Sequence, residues 1–164
     1  PVGRFLPSRS QRRVLRKNSD LRLEVAAPRL DEERLSLYRR HHADREVRRG
    51  WPSTDMGFKE YYETFCLNAV STLEFAYRLD GRLVAVAYVG EGEESLNSIY
   101  AFMDPDHVRR SLGVFDVLSE IDEARRLGKS YLYLGYYVKG CKSMEYKANY
   151  RPHEILGQEG WQEA

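Results

Sequence analysis

The chain offers little sulfur chemistry. Its 164 residues include two cysteines, Cys66 and Cys141. Two thiols cannot build a disulfide framework, and their scarcity points to a reducing compartment. No apolar run approaches the roughly 20 residues of a membrane helix. No signal-peptide core stands near the start, so the expectation is a cytoplasmic protein that engages no membrane. Metal-ligand spacing is also missing. Cys66, Cys141, His41, His42, His107 and His153 form no CxxC or HxxxH pair. His41 and His42 are adjacent, so on a helix they point about 100° apart and chelate poorly together. No metal or other cofactor is expected in this chain. Neither a Gly-x-Ser-x-Gly elbow, a phosphate-binding Gly-Lys-Ser/Thr loop nor a dinucleotide fingerprint is present.

What is present suits one folded domain. Hydrophobic residues make up 42% and charged residues 31%, which argues against a wholly disordered chain. A chain of this size can bury roughly 70% of its unfolded surface without staples. The charge is unevenly spread. Residues 1–22 carry seven basic side chains against Asp20, a local +6, whereas the whole chain is +1 and the remainder therefore −5. Such an arm fits a polyanion, most simply a nucleic acid. It equally fits a solvated, frayed terminus. Ser8 or Ser10 can cap a short helix that Asn18 ends, and that helix gathers Arg9, Arg12, Arg13 and Arg16 on one side.

The body reads as an alternation of helices and strands. Residues 21–25 alternate as a strand does, and Asp31 caps a helix to about Arg48. A second helix is expected from near Gly57 to Leu67. Residues 73–79 and 82–89 flank Asp80-Gly81, a hairpin signal. Residues 95–103 form the next strand. A helix from Arg109 or Arg110 to Leu127 follows, then a strand at 131–137 and an irregular tail. Strand, helix and strand over 95–137 imply two parallel neighbours joined by a crossover. The expected class is α/β, a mixed central sheet flanked by helices. This topology matches the GNAT acyltransferase core.

Two constellations carry chemistry. The turn Asp104-Pro105-Asp106-His107-Val108-Arg109-Arg110 leads into a helix start, where free N–H groups favour anions. An acyl-CoA enzyme of this fold holds a pyrophosphate there. Here Arg110-x-x-Gly113-x-Phe115 fits that pattern only in part, because Phe115 replaces a small residue. The second constellation is Tyr131-Leu132-Tyr133-Leu134-Gly135-Tyr136-Tyr137 with Met144-Glu145-Tyr146-Lys147. Tyrosines stack on nucleobases or donate hydrogen bonds near a reacting group. They also serve as ordinary core residues.

These stretches, together with Pro7-Ser8-Arg9-Ser10-Gln11-Arg12-Arg13 and Ser98-Ile99-Tyr100-Ala101-Phe102-Met103-Asp104-Pro105-Asp106, resemble the aminoacyl-tRNA–protein transferases. That family comprises the arginyl-tRNA–protein transferases and the bacterial aspartate/glutamate leucyltransferases. The resemblance follows the family's C-terminal domain in order over nearly the whole chain. It is closer to the leucyltransferases, chiefly through the arginine-rich arm.

The resemblance implies a GNAT-like domain at 23–164 behind a basic arm at 1–22. It implies transfer of an amino acid, leucine rather than arginine, from aminoacyl-tRNA to proteins beginning with Asp or Glu, marking them for N-degron degradation. The family's N-terminal region holds a cysteine cluster implicated in metal or iron–sulfur binding, and this chain begins after it. An acyl-CoA-dependent N-acyltransferase and a non-catalytic tRNA-binding remnant are the alternatives. Backbone N–H groups along 98–103 are expected to face the ester carbonyl. Asp104 is the candidate for orienting or deprotonating the amine, and Tyr137 or Tyr146 for protonating the leaving ribose oxygen. Arg9, Arg12, Arg13, Lys17, Arg109, Arg110, Lys142 and Lys147 are the expected tRNA contacts. Tyr100, Gly113, Tyr136 and Met144 are the expected substrate contacts.

Overall fold

The computed structural model describes residues 1–141 and 143–164. A 3₁₀ turn at Val2–Arg4 precedes α1 (Arg9–Lys17). Ser8 caps α1, and Gln11 completes the capping box from its third position. β1 (Arg22–Ala26) leads to α2 (Glu32–Arg49), where the Asp31 carboxylate accepts the Arg34 N–H at 2.9 Å. α3 is one short turn, Phe58–Tyr61, continued by a π turn at Tyr62–Cys66. The single helix expected over 57–67 is therefore two unlike turns, and together they bury Tyr61 and Phe65.

β2 (Thr72–Leu79) and β3 (Arg82–Glu91) form the expected hairpin. Asp80 and Gly81 both have positive φ, 48° and 80°, which the two-residue turn between right-twisted strands demands. β4 (Ser95–Met103) is antiparallel to β3. α4 (Leu112–Arg126) then crosses over to β5 (Tyr131–Tyr133), which is parallel to β4. The sheet order is β1-β2-β3-β4-β5, so the mixed α/β sheet is as expected.

Three boundaries differ from the sequence reading. The helix expected from Arg109 or Arg110 begins at Leu112. Residues Pro105–Arg110 form a 3₁₀ turn, and Ser111, at φ 57°, separates the two. β5 stops at Tyr133 rather than Tyr137, and Gly135 turns the chain away at φ 77°. The tail is not irregular throughout. It holds a 3₁₀ turn at Glu145–Asn149 and a hairpin, β6 (Glu154–Gly157) with β7 (Gly160–Glu163).

Strand alternation divides the core in two. Phe75, Tyr77, Ala85, Ala87, Val89 and Leu96 face α4 and the N-terminal residues Val2 and Phe5. Ala76, Val86, Tyr88 and Phe102 face α2 and α3. β3 is buried on both faces and is almost wholly apolar, as a central strand is. The basic segment is not frayed. Gln11 Nε2 donates to the Asn149 carbonyl at 3.1 Å, and Asn18 Nδ2 to those of Val14 and Arg110, both at 2.9 Å.

Candidate active site

The sheet opens where β4 and β5 part. They pair only over Ser95–Asn97 and Tyr131–Tyr133. From Ser98 to Met103, β4 has no strand on that side among the described residues. At the end of this open edge, His41 Nδ1 lies 3.0 Å from the Met103 oxygen and 3.2 Å from its nitrogen. Burial holds the His41 pKa below its ordinary value. A strand residue points its N–H and C=O to the same side, with period two. Met103 faces the open edge, so Ala101 faces it as well. The pairing register shifts between Tyr88 and Val89, opposite Tyr100 and Ser98, and leaves Ile99 as the extra residue of a bulge. The bulge reverses side-chain parity. Ser98 faces α4 before it, and Tyr100 faces α2 after it.

On the α4 side lies a row of polar groups. Tyr77 donates to Asp116 Oδ1 at 2.8 Å, and Ser98 donates to Glu120 Oε1 at 3.0 Å. Asp116 and Glu120 are one helical turn apart, and both are buried. Burial pushes the Asp116 carboxyl up to about 7. Burial, and then Asp116 itself, pushes Glu120 well above the carboxylate range. Tyr146 and Tyr150 are close enough to feel both carboxyls, which, after burial, raise their pKa values further. On the α2 side, Tyr100 stacks on Phe65 at 5.6 Å. Burial, then Tyr38, raises the Tyr100 phenol to about 12.

An aromatic cavity of about 630 Å³ adjoins β5 and the tail hairpin. Its size falls within the range for small-molecule sites. Tyr131 stacks on Tyr133 at 6.3 Å, and Tyr133 meets Trp161 at 5.6 Å. Tyr136, Tyr137, Lys147 and Tyr150 complete much of the wall. Lys147 is turned inward, and its ammonium donates to the Tyr136 carbonyl at 2.7 Å. Burial lowers its pKa.

The expected site residues do not form one cluster. Tyr136, Tyr137 and Lys147 line the cavity, and Tyr146 stands by the acid pair. Lys147 therefore lies in the cavity wall rather than on an outer basic track. Met144 is half-buried and precedes the tail's 3₁₀ turn. Tyr100 is on the opposite face of the sheet. Arg9, Arg12 and Arg13 are exposed together on α1. Arg109 is exposed, but Lys17 Nζ donates to its carbonyl at 2.8 Å. Lys142 lies outside the described residues.

Two expected roles meet partners within the fold. Asp104 is not poised as a base. Its buried carboxylate receives both Arg40 Nη atoms, at 3.0 and 2.7 Å, and the Asp106 N–H at 2.9 Å. It clamps α2 to the turn after β4. Arg110 is held bidentately by Asp20, at 2.8 Å on both sides. Gly113 lies in the first turn of α4, where a Cβ would make only ordinary contact with the Met103 methyl, at 3.6 Å.

The sequence reading missed Asp116 and Glu120. The available signal was two acids on the buried stripe of α4, in register with Leu112 and Ala124. It also missed Arg40, whose partner Asp104 is 64 residues away.

No group of three metal-ligating side chains is assembled among the described residues. Cys66 and Cys141 lie on separate elements, with Cys141 beside Ser143 rather than a second thiol. The described residues therefore do not fit an iron–sulfur cluster or a structural zinc. No helix among them is long and apolar enough to cross a membrane.

The open edge and crossover define a class, the GNAT acyltransferase fold. The ribosomal-protein-S18-alanine N-acetyltransferase of Escherichia coli superposes with a TM-score of 0.55 at 15% identity, covering 87% of this chain and 89% of that one. The L-PGS structure from Bacillus licheniformis gives 0.55 at 14% identity, covering 86% and 45%. Sequence narrows the class. Residues 33–157 match the family described as arginine-tRNA-protein transferase, C terminus. The aspartate/glutamate leucyltransferase of Pseudomonas fluorescens is 42% identical over 166 residues, which cover 98% of this chain and 68% of that protein. The enzyme of the same name from Campylobacter jejuni is 40% identical over 156 residues, covering 94% and 65%. The chain belongs to the arginine-tRNA–protein transferase family, and it spans about two thirds of the length of these relatives.

Proposed function

We propose that this chain is the transferase domain of an enzyme that moves leucine from aminoacyl-tRNA to the α-amine of proteins beginning with Asp or Glu. Its action in the cytoplasm marks those proteins for N-degron degradation. The observation that carries the reading is the 42% identity over nearly the whole chain to an aspartate/glutamate leucyltransferase.

The chemistry is aminolysis of an activated ester. The amine nitrogen bonds to the ester carbonyl carbon, the bond from that carbon to the ribose oxygen breaks, and a proton passes from the amine to the departing oxygen. No covalent enzyme intermediate is required. The enzyme must hold the two groups together and stabilise the oxyanion. The Ala101 N–H on the open edge of β4 is the donor placed for that oxygen. The aromatic cavity has the size and the stacking rings for the terminal adenosine. Tyr137 in its wall and Tyr146 beside the acid pair are the candidate acids for the ribose oxygen. Burial and the two carboxyls raise the Tyr146 phenol and make it the weaker acid in water, so its reach to the ribose oxygen rather than its acidity makes it a candidate.

The acyl-CoA alternative fits less well. Where an acyl-CoA enzyme of this fold binds pyrophosphate, Lys17, Asn18 and Asp20 close on Arg109 and Arg110 from the end of α1. The exposed arginines of α1 are a phosphate track outside that turn. An Arg9→Ala/Arg12→Ala/Arg13→Ala variant should keep its fold and bind tRNA more weakly. The slope of log affinity against log salt should flatten by roughly 2. An unchanged slope removes α1 from the tRNA site.

The reading is tested by charging tRNA with labelled leucine or arginine and offering peptides that begin with Asp, Glu or Ala. Leucine should move to the Asp and Glu peptides alone. Arginine transfer instead, or acylation from acetyl-CoA without tRNA, overturns it.

A further inference from the structure

We propose that Glu120 and Asp116 form the subsite for the α-ammonium of the donor aminoacyl group. The inference rests on the transferase reading and adds a binding site to it. An acetyl donor has no charge on its acyl group. An aminoacyl ester carries an ammonium one carbon from the reacting carbonyl, a separation of roughly 2.5 Å from bond lengths. An enzyme of this fold that accepts such a donor needs an anion close to the reacting carbon.

Two buried acids stand on the α4 side of β4, next to the bulge that opens its edge. Glu120 is fully buried, and its Oε2 has no hydrogen-bond partner among the described residues. A buried polar atom without a partner is costly, and its persistence calls for a ligand or another function. Its other oxygen holds Ser98, the residue at the bulge where β4 leaves β5. Ser98 is three residues from Ala101, whose N–H faces the open edge. Asp116 supplies a second carboxyl one turn away, and among the described residues no cation acts on either group. Tyr146, 44% exposed, is near enough for both carboxyls to raise its phenol. Burial raises both carboxyls toward the protonated form. An arriving ammonium replaces that proton as the neutralising charge.

The experiment compares leucyl-tRNA with N-acetylleucyl-tRNA, which lacks the ammonium but keeps ester, side chain and RNA. Affinities are measured for the full-length wild-type protein, Glu120→Gln and Asp116→Asn, each checked for thermal unfolding. Wild type should prefer leucyl-tRNA by roughly 10- to 100-fold, the range of a charge-assisted hydrogen bond. Glu120→Gln should bind both RNAs as wild type binds the acetylated one, and Asp116→Asn should narrow the preference. Equal wild-type affinity for the two RNAs overturns the proposal without any variant. So does a preference that survives Glu120→Gln. Loss of binding to both RNAs by wild type is a different result. It defeats the transferase reading itself, and the subsite with it.

Discussion

Arg34→Met, with Glu74 left in place, will destabilise the domain by roughly 3–5 kcal/mol, the cost of leaving a buried charge unpaired. Arg34 is fully buried on α2. Its Nε reaches both Glu74 oxygens at 2.9 and 3.0 Å, and its Nη2 reaches one at 2.6 Å. Its Nη1 pairs with Asp31, which also caps α2. Glu74 is 2% exposed on β2, and Tyr88 donates to it at 3.4 Å from a hydroxyl already 2.6 Å from that of Tyr61. The network therefore ties α2 to the sheet and to α3. Removing the guanidinium leaves the carboxylate no route to water. The midpoint temperature should fall by roughly 10 °C, at a few degrees per kcal/mol for a chain of this size. The double variant Arg34→Met/Glu74→Leu should recover most of that loss, because an apolar pair carries no desolvation cost. Urea unfolding reads both. A single variant within about 1 kcal/mol of wild type would falsify the reading of this pair as a buried charge network.

The contrast between this network and the helices shows what the sequence can reveal. The caps at Ser8 and Asp31, the Asp80-Gly81 hairpin and the β4–α4–β5 crossover are local patterns, and all are where local chemistry puts them. Ser111 and Gly135 mark the failures. Each takes a left-handed backbone: Ser111 delays the start of α4, and Gly135 turns the chain away after β5, and for Ser111 the sequence pattern carries no sign of it. Asp104 shows a deeper limit. An aspartate after a strand can be a base, a cap or half of an ion pair. The choice is made by Arg40, 64 residues away. The α4 acids were readable as a periodicity, since both fall on the core stripe. Their nearness to Ser98 and the open edge of β4 arises from tertiary packing. The tyrosines of 131–137 divide the same way: composition shows an aromatic segment, but only the β6–β7 hairpin makes a cavity of it.

The same acid pair predicts an unusual dependence of stability on pH. An aspartate ordinarily ionises near 3.8, and Asp116 is pushed up to about 7 by burial. Well below pH 3.8 it is protonated in both the folded and unfolded chains, and it contributes no difference. As pH rises from 4 toward 7, the unfolded chain ionises while the folded chain holds its proton. Stability is lost by up to about 1.4 kcal/mol per pH unit until the folded group also ionises. Glu120 has the same sign, with burial again the leading cause. Buried His41, lowered below its ordinary value, acts oppositely and costs stability as pH falls below 6.5. The informative quantity is thus the difference between wild type and Asp116→Asn measured across pH. The variant's advantage should be smallest well below pH 3.8 and should grow as pH rises toward 7. A difference that does not change with pH would mean that the carboxyl ionises freely in the folded protein. A domain that carries two buried acids without a cation accepts a cost that a pair of leucines would remove. Such a cost is expected where binding, rather than folding, selects the residues. An ammonium delivered to that place on every turnover supplies the charge that the fold leaves out.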